Sequence, residues 1–324
     1  MSNVWHSAKD GGTKPPLALI AGPTASGKSE QAVRLALRLQ DRGQPSIIIN
    51  ADSAQVYGDL RVLSARPSVH DMHGIEHRLF GTWDGAQACS AADWAAAARV
   101  EIARAHDAGA LPILVGGTGL YLRSLLDGIA PVPQIEPAIR AQVRAMMTSA
   151  AHAALGNEDP AAARRLAPAD TTRIMRALEV VRSTGRPLHA WQEKRSGGIS
   201  EQVRLWPAIL LPDRTALYAR CETRFASMMD NGAIDEVRAL LARRLDPALP
   251  IMRAIGVAAI ATFLQQESDR ETAITIGAQA TRRYAKRQYT WFGNQTPAAW
   301  HFAGNNEAFD TALNDILLSR LLLT

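Results

Sequence analysis

The sequence predicts an α/β fold, a parallel sheet flanked by helices on both faces, with an all-helical segment inserted into it. Three observations predict it. Short apolar runs alternate with helix-period stretches up to residue 126. A Pro/Gly-rich connector, Asp127-Gly128-Ile129-Ala130-Pro131-Val132-Pro133, then opens a stretch in which only helical patterns recur. A strand-like run returns at Leu205–Leu211 (LWPAILL).

Taken in order, Leu17-Ala18-Leu19-Ile20-Ala21 is a buried-strand pattern ended by Gly22-Pro23, and Val33, Leu35, Ala36, Leu37 and Leu39 then give residues 29–39 helical spacing. Ser46–Asn50 (SIIIN) and Leu111–Val115 (LPILV) are too short and apolar to be surface helices and read as further strands. Between them, Ser90-Ala91-Ala92-Asp93 has the form of a capping box and opens an Ala-rich helix that runs to about His106. Residues 136–195 read as helical, closed by Gly197-Gly198. After the returning strand, helices are predicted at 214–229, 234–244, 255–265 and 270–292, then a short Trp300-His301-Phe302 strand and a final amphipathic helix. The domain boundaries expected are 1–126 with 204–324 for the core and 127–203 for the helical insertion.

A chain of 324 residues with 47% hydrophobic content has material for roughly two packed domains, which excludes wholesale disorder. No apolar run approaches the ~18 residues a membrane helix needs, and the first sixteen residues lack a signal-peptide core, so a cytoplasmic protein without membrane contact is expected. Cys89 and Cys221 cannot form a disulfide framework and read as free thiols. His70, His73 and His77 form a loose group without nearby Cys or paired Glu, a surface pattern more than a metal site. Of the 36 basic residues only five are Lys, and the net charge is +5. Genomic bias explains an Arg skew by itself, yet Arg also supplies a planar fork for phosphates.

The sharpest motif is Gly22-Pro23-Thr24-Ala25-Ser26-Gly27-Lys28-Ser29, which satisfies G-x-x-x-x-G-K-[ST] between a strand and a helix. Its glycines let backbone N–H groups turn toward phosphate oxygens, the helix N-terminus adds positive potential, Lys28 neutralises charge, and Ser29 is a candidate Mg²⁺ ligand. A bound di- or triphosphate follows; what is transferred does not. The second strand delivers Asp52-Ser53-Ala54-Gln55 to the sheet edge where ligands bind. A lone Asp there serves as a cap or a Mg²⁺-water partner more often than as a general base. The third strand brings Val115-Gly116-Gly117-Thr118-Gly119-Leu120-Tyr121 to the same edge, where glycines permit close backbone approach.

Two basic regions complete the pattern. Residues 160–204 hold nine basic and four acidic side chains, a surplus equal to that of the whole chain. Thr281–Phe292 interleaves four cations with four aromatics, and its Arg282/Lys286 and Arg283/Arg287 pairs repel along a helix unless an anion neutralises them. Cations beside aromatics suit single-stranded nucleic acid, and equally a solvated basic face over a buried aromatic stripe.

Together, GPTASGKS, DSAQVY, VGGTGLY, Arg176-Ala177-Leu178-Glu179-Val180 and Lys286-Arg287-Gln288-Tyr289-Thr290-Trp291 resemble the tRNA dimethylallyltransferase (tRNA isopentenyltransferase) family, in the family's order and over most of the chain. The resemblance implies a P-loop NTPase-like core with a helical insertion domain, the two clasping a tRNA anticodon stem-loop. It also implies transfer of a dimethylallyl group from dimethylallyl diphosphate to N6 of adenosine 37, with Mg²⁺ as cofactor and a single chain as the active form. Asp52 then matches the general base, Lys28, Ser29 and Arg224 the catalytic groups on the diphosphate, and Gly22, Pro23, Thr24, Ala25, Ser26 and Gly27 the rest of the diphosphate cradle. Thr118 matches a residue at the entrance for the flipped base. Contacts with tRNA are expected from Asp52, Ser53, Ala54 and Gln55; from Arg140; from Thr172, Arg173, Ile174, Met175 and Arg176; from Arg253, Ala254, Ile255, Gly256, Val257 and Ala258; and from Lys286, Arg287, Gln288, Tyr289, Thr290, Trp291, Phe292 and Gly293.

The sequence departs from the family pattern in several places. Leu63-Ser64-Ala65-Arg66-Pro67 stands for Gly-Thr-Ala-Lys-Pro, Glu76-His77-Arg78 lacks the usual His-His, Val257 replaces a Tyr, and Ala167-Pro168-Ala169-Asp170 replaces His-Pro-Asn-Asp. Three other readings compete: an adenylate isopentenyltransferase acting on free nucleotide, a P-loop kinase with Asp52 activating a hydroxyl, and a non-enzymatic RNA-binding module. The basic insertion and the 281–292 cluster favour tRNA, since a lone nucleotide needs no such surface.

Overall fold

The computed structural model describes residues 14–302 together with 311, 315 and 317–319. It falls into two compact units, one made of Met1–Leu126 with Ile199–Thr324, the other of Asp127–Gly198. The first unit is built on a six-stranded, wholly parallel sheet of order β3-β2-β4-β1-β5-β6. Its strands are β1 (Pro16–Ala21), β2 (Ser46–Asn50), β3 (Glu76–Arg78), β4 (Leu111–Gly116), β5 (Arg204–Leu210) and β6 (His301–Phe302). The helices α1 (Lys28–Gln40), α2 (Ala91–Asp107) and α3 (Gly119–Leu126) follow β1, β3 and β4.

Alternation along the strands divides the core. Leu17, Leu19, Ile49, Leu114 and Ile209 face α2, α3 and the C-terminal helices, whereas Ala18, Ile20, Ile48 and Ile113 pack on Leu35 and Leu39 of α1. The capping box expected at Ser90 is present: its hydroxyl accepts from Asp93 N–H and the Asp93 carboxylate accepts from Ser90 N–H. Trp94 of α2 is fully buried, donates its indole N–H to Asn50 O at 2.8 Å and stacks on Tyr121 at 4.6 Å. That bond fixes the end of β2, the point at which the chain turns into Asp52.

The insertion unit contains five helices: α4 (Pro137–Arg144), α5 (Thr148–Glu158), α6 (Pro160–Arg165), α7 (Thr171–Thr184) and α8 (Leu188–Gln192). Val143, Leu155, Ile174 and Leu178 form its core. Glu179, almost fully buried there, accepts from Arg144 at 3.1 Å and lies 3.7 Å from Arg176. The first unit ends in α9 (Arg214–Asp230), α10 (Ala233–Ala242), a 3-10 turn at Pro250–Arg253, α11 (Val257–Leu264) and the long α12 (Arg270–Gln295). Gly277 of α12 takes the ring of Phe225 of α9 where a Cβ would lie 2.0 Å from it, which brings the two helices together.

Two differences from the sequence-based elements have simple causes. β3, a short outer strand of Glu-His-Arg, carries no apolar pattern because it pairs on one side only. The helix expected from Ile255 starts at Val257, because Gly256 adopts a left-handed φ of 94° at its N-cap. The final helix lies almost entirely outside the described residues, and among those described no helix is long and apolar enough to cross a membrane.

Candidate active site

The site assembles where β1, β2 and β4 end side by side. Gly22 leaves β1 with its N–H bonded to Gly116 O at 3.3 Å, and a Cβ at Gly22 would come within 2.6 Å of Leu210 O. The loop therefore starts in a slot too narrow for any side chain. Ala25 takes a left-handed φ of 61°, Gly27 one of 88°, and α1 begins at Lys28. Lys28 is buried, with Nζ donating to Pro23 O at 3.3 Å. Burial pushes its pKa down to about 8; Asp52 counters that shift and Arg224 adds to it. The hydroxyl of Ser26 is buried without a hydrogen-bond partner.

Asp52, buried at the end of β2, is held through its backbone. Its N–H donates to Asn50 Oδ1 at 2.9 Å, its carbonyl accepts from Asn50 Nδ2 at 3.0 Å, and Oδ1 accepts from Ala54 N–H at 3.0 Å. Thr118, from the β4 turn, accepts Ser53 N–H at 2.9 Å and lies 3.2 Å from Ser53 Oγ. Arg224 of α9 donates to Thr24 Oγ1 at 3.4 Å; burial lowers its pKa, opposed by the charge of Asp52. Thus a carboxylate, a lysine, an arginine and a phosphate loop share one small volume.

Two cavities meet here. One, of about 290 Å³, is lined by Asp52, Ser53, Tyr57, Leu60, Phe225 and Tyr284 among others, a largely apolar wall with a polar edge. The other, of about 760 Å³, is lined by the phosphate loop from Thr24 to Ser29 and, opposite it, by Arg66 and His77. Thr24, Asp52, Ser64 and Arg224 line both. Ala54, Arg253, Ala254, Ile255 and Arg287 border the first cavity and Gln55 the second.

The other predicted positions divide by burial. Arg140, Thr172 and Arg173 are exposed on the insertion unit, Met175 and Arg176 partly so. Ala258, Lys286, Thr290 and Gly293 are exposed and Tyr289 partly so. Seven residues expected to touch tRNA are buried: Asp52 and Gln55 at the end of β2, Ile174 in the insertion core, and Gly256, Val257, Gln288 and Phe292 elsewhere in the larger unit. Gln288 is committed to the loops, its Oε1 accepting from Thr24 N–H and its Nε2 donating to Gly117 O, each at 2.8 Å. Trp291 packs against Gly119, where a Cβ would lie 2.5 Å from the indole.

Sequence reasoning missed Tyr284, which lines the first cavity and hydrogen-bonds with Thr118 and Ser53. Burial, with Asp52 nearby, pushes its phenol up to about 12, so it stays protonated. It also missed Arg220, one turn before Arg224, whose Nε donates to Ala25 O at 2.9 Å. The i,i+4 spacing of the two arginines was the available signal.

The model of the IPP transferase family matches residues 55–295. The chain belongs to the IPP transferase family. The transferase is 63% identical over 297 residues to the tRNA dimethylallyltransferase of Erythrobacter litoralis, covering 92% of this chain and 94% of that one. It is also 63% identical over 272 residues to the tRNA dimethylallyltransferase of Novosphingobium aromaticivorans, covering 84% and 97%. Among solved structures, the full-length tRNA isopentenylpyrophosphate transferase of Bacillus halodurans aligns with a TM-score of 0.68 at 30% identity, over 95% of this chain and 97% of that one. A eukaryotic dimethylallyltransferase acting on tRNA shares the fold with a TM-score of 0.73 at 24% identity, over 86% and 70%.

Proposed function

We propose that the transferase moves a dimethylallyl group from dimethylallyl diphosphate to the exocyclic N6 of adenosine 37 in tRNA, releasing diphosphate. The observation that carries this reading is that Asp52 and Arg224 line both cavities, one walled by the phosphate loop and the other largely apolar. A reaction between a diphosphate ester and a base needs both walls on either side of one reactive centre.

In this reading the adenine, unstacked from the anticodon loop, enters the first cavity past Thr118 and Tyr284. Its amine is a weak nucleophile because the lone pair is delocalised into the ring. Asp52 takes a proton from N6 as the N6–C1 bond forms, and the C1–O bond breaks with its electron pair leaving on diphosphate. Lys28, Arg224 and the loop N–H groups stabilise the charge that develops there. Both cations are held in place before substrate arrives, so little reorganisation accompanies charge development.

The donor set fits Mg²⁺ in a particular way. Ser29 at the start of α1 offers a hard oxygen in the cavity that receives diphosphate, and no group of three His, Cys, Asp or Glu side chains among the described residues forms a protein cage. Ser29 would hold such an ion, which when bound would supply neutralisation of phosphate charge. The exposed basic residues of α12 and of the insertion supply the charge for tRNA, in a cytoplasmic enzyme acting as a single chain.

The test is incubation with dimethylallyl diphosphate, Mg²⁺ and either unmodified tRNA or AMP, followed by nucleoside mass analysis. Prenylated adenosine from tRNA alone is expected. Prenylated AMP would establish the free-nucleotide reaction instead, and phosphate transfer from labelled ATP a kinase.

A further inference from the structure

We propose that Arg220 is a positioning residue for the diphosphate: it acts through the carbonyl of Ala25 to hold the phosphate loop in its anion-receiving shape. The inference rests on the reading of that loop as the diphosphate site.

Ala25 is the weak point of the loop. Its φ of 61° places a residue with a Cβ in the left-handed region, which L side chains disfavour because Cβ crowds the following carbonyl oxygen. Something outside the loop must compensate. The Ala25 carbonyl accepts from Arg220 Nε at 2.9 Å, across 195 residues of sequence, and the Ala25 side chain packs against Leu217, Cys221 and Ala285. Arg220 thus grips the Ala25–Ser26 peptide from its carbonyl side, while the N–H of the same peptide donates to Pro23 O at 3.3 Å and closes the turn that shapes the loop. On the preceding side Gln288 accepts Thr24 N–H at 2.8 Å, and Arg224 reaches Thr24 Oγ1 at 3.4 Å. The loop is therefore pinned on both sides of Ala25 by two helices remote in sequence.

Arg220 differs from Arg224 in what it can touch. Arg224 lines both cavities, and Arg220 lines neither. Arg220 Nη2 is buried without a hydrogen-bond partner. A cationic donor buried beside the loop, at the cost that burial carries, is better explained by a requirement on the loop than by fold stability alone. The guanidinium holds the loop, and the loop holds the anion.

The chemistry of the side chain supplies a clean test. In glutamine, Nε2 occupies the same place along the side chain as arginine Nε, so Arg220→Gln keeps an N–H for Ala25 O while removing the charge and the unpaired Nη2. Arg220→Met has similar length, no donor and the same loss of charge. Binding of inorganic diphosphate by calorimetry, the KM for dimethylallyl diphosphate and the affinity for unmodified tRNA are measured for both variants and the wild type. Arg220→Met is expected to weaken diphosphate binding and raise that KM on the order of tenfold, the weight of one charge-assisted hydrogen bond. Arg220→Gln should recover most of the loss, to within about threefold of wild type, with tRNA affinity unchanged in both. Equal impairment of the two variants, wild-type binding in both, or a parallel loss of tRNA affinity would overturn the proposal. Calorimetry with inorganic diphosphate is independent of prenyl transfer. A wild-type protein that binds diphosphate without modifying tRNA would defeat the proposed function and leave the comparison of Gln with Met readable.

Discussion

Helices α9 and α12 pack along each other and both carry arginines toward the site, yet they use them in opposite ways. On α9, Arg220 and Arg224 point into the protein and bond to the phosphate loop. On α12, Arg282, Arg283, Lys286 and Arg287 remain exposed, and the inward face of that helix is Ala285, Gln288 and Phe292. Buried cations suit a small, highly charged anion at a fixed position, because low dielectric strengthens each contact and the geometry is set beforehand. Exposed cations suit a polyelectrolyte, which contributes affinity by releasing counterions and tolerates an imprecise fit. Under the proposed function the same residue type serves two partners, and burial decides which.

That division can be broken by experiment. The largest effect is expected at the point both partners share: Asp52→Ala should lower prenyl transfer by about 10²–10⁴ while leaving tRNA binding nearly intact, measured as single-turnover rate against filter-binding affinity. Next, Arg224→Met should reduce kcat/KM for dimethylallyl diphosphate on the order of 10², with tRNA affinity unchanged; an equal loss for both substrates would erase the contrast between the helices. Replacing Arg283 and Arg287 together by Ala should cost about tenfold in tRNA affinity at moderate salt and reduce the slope of log affinity against log salt by about 1–2. If that double variant instead alters diphosphate binding, α12 is not a separate tRNA face.

The smallest effect concerns protonation. With its pKa pushed down to about 8, Lys28 is charged at pH 7 and mostly neutral at pH 9. The KM for dimethylallyl diphosphate should therefore rise several-fold across that interval, and a Lys28→Met variant, weaker at every pH, should lack the rise. Stability is expected to move the other way. The unfolded chain holds the proton up to the ordinary lysine value of 10.5, so between about 8 and 10.5 it binds more protons than the folded chain. Over that window Lys28 makes folding more favourable as pH increases, to be checked by thermal melts of wild type and Lys28→Met.

The central strands were legible in the sequence because each is buried on both faces, and an apolar run of five or six residues has little else to be. The phosphate loop and the position of Asp52 followed from the same strand ends. β3 escaped because its charged residues form a ladder on one side only. Gln288 and Phe292 were grouped with the cations around them, although Ala285, Gln288 and Phe292 recur at three- and four-residue spacing, the sign of an inward stripe. An amide in such a stripe is hard to recognise because its partners, Thr24 and Gly117, lie 264 and 171 residues away. Arg220 escaped for a related reason: its i,i+4 spacing with Arg224 puts it on the same helix face, but its partner is a backbone carbonyl 195 residues away, which the spacing does not disclose.

Gly116 carries a consequence for how this centre can vary. A Cβ there would fall 2.2 Å from the backbone of Ala51, the residue just before Asp52. The ends of β2 and β4 interlock without room for a methyl group, and Ala51 N–H bonds Val115 O at 2.7 Å while Thr118 N–H bonds Ala51 O at 3.2 Å. A saturation library at position 116, selected for activity, should return glycine alone, whereas neighbouring exposed positions such as Leu120 should admit many substitutions. The mutational freedom of the segment that carries Asp52 is thereby limited from outside, by an atom that another strand must not have.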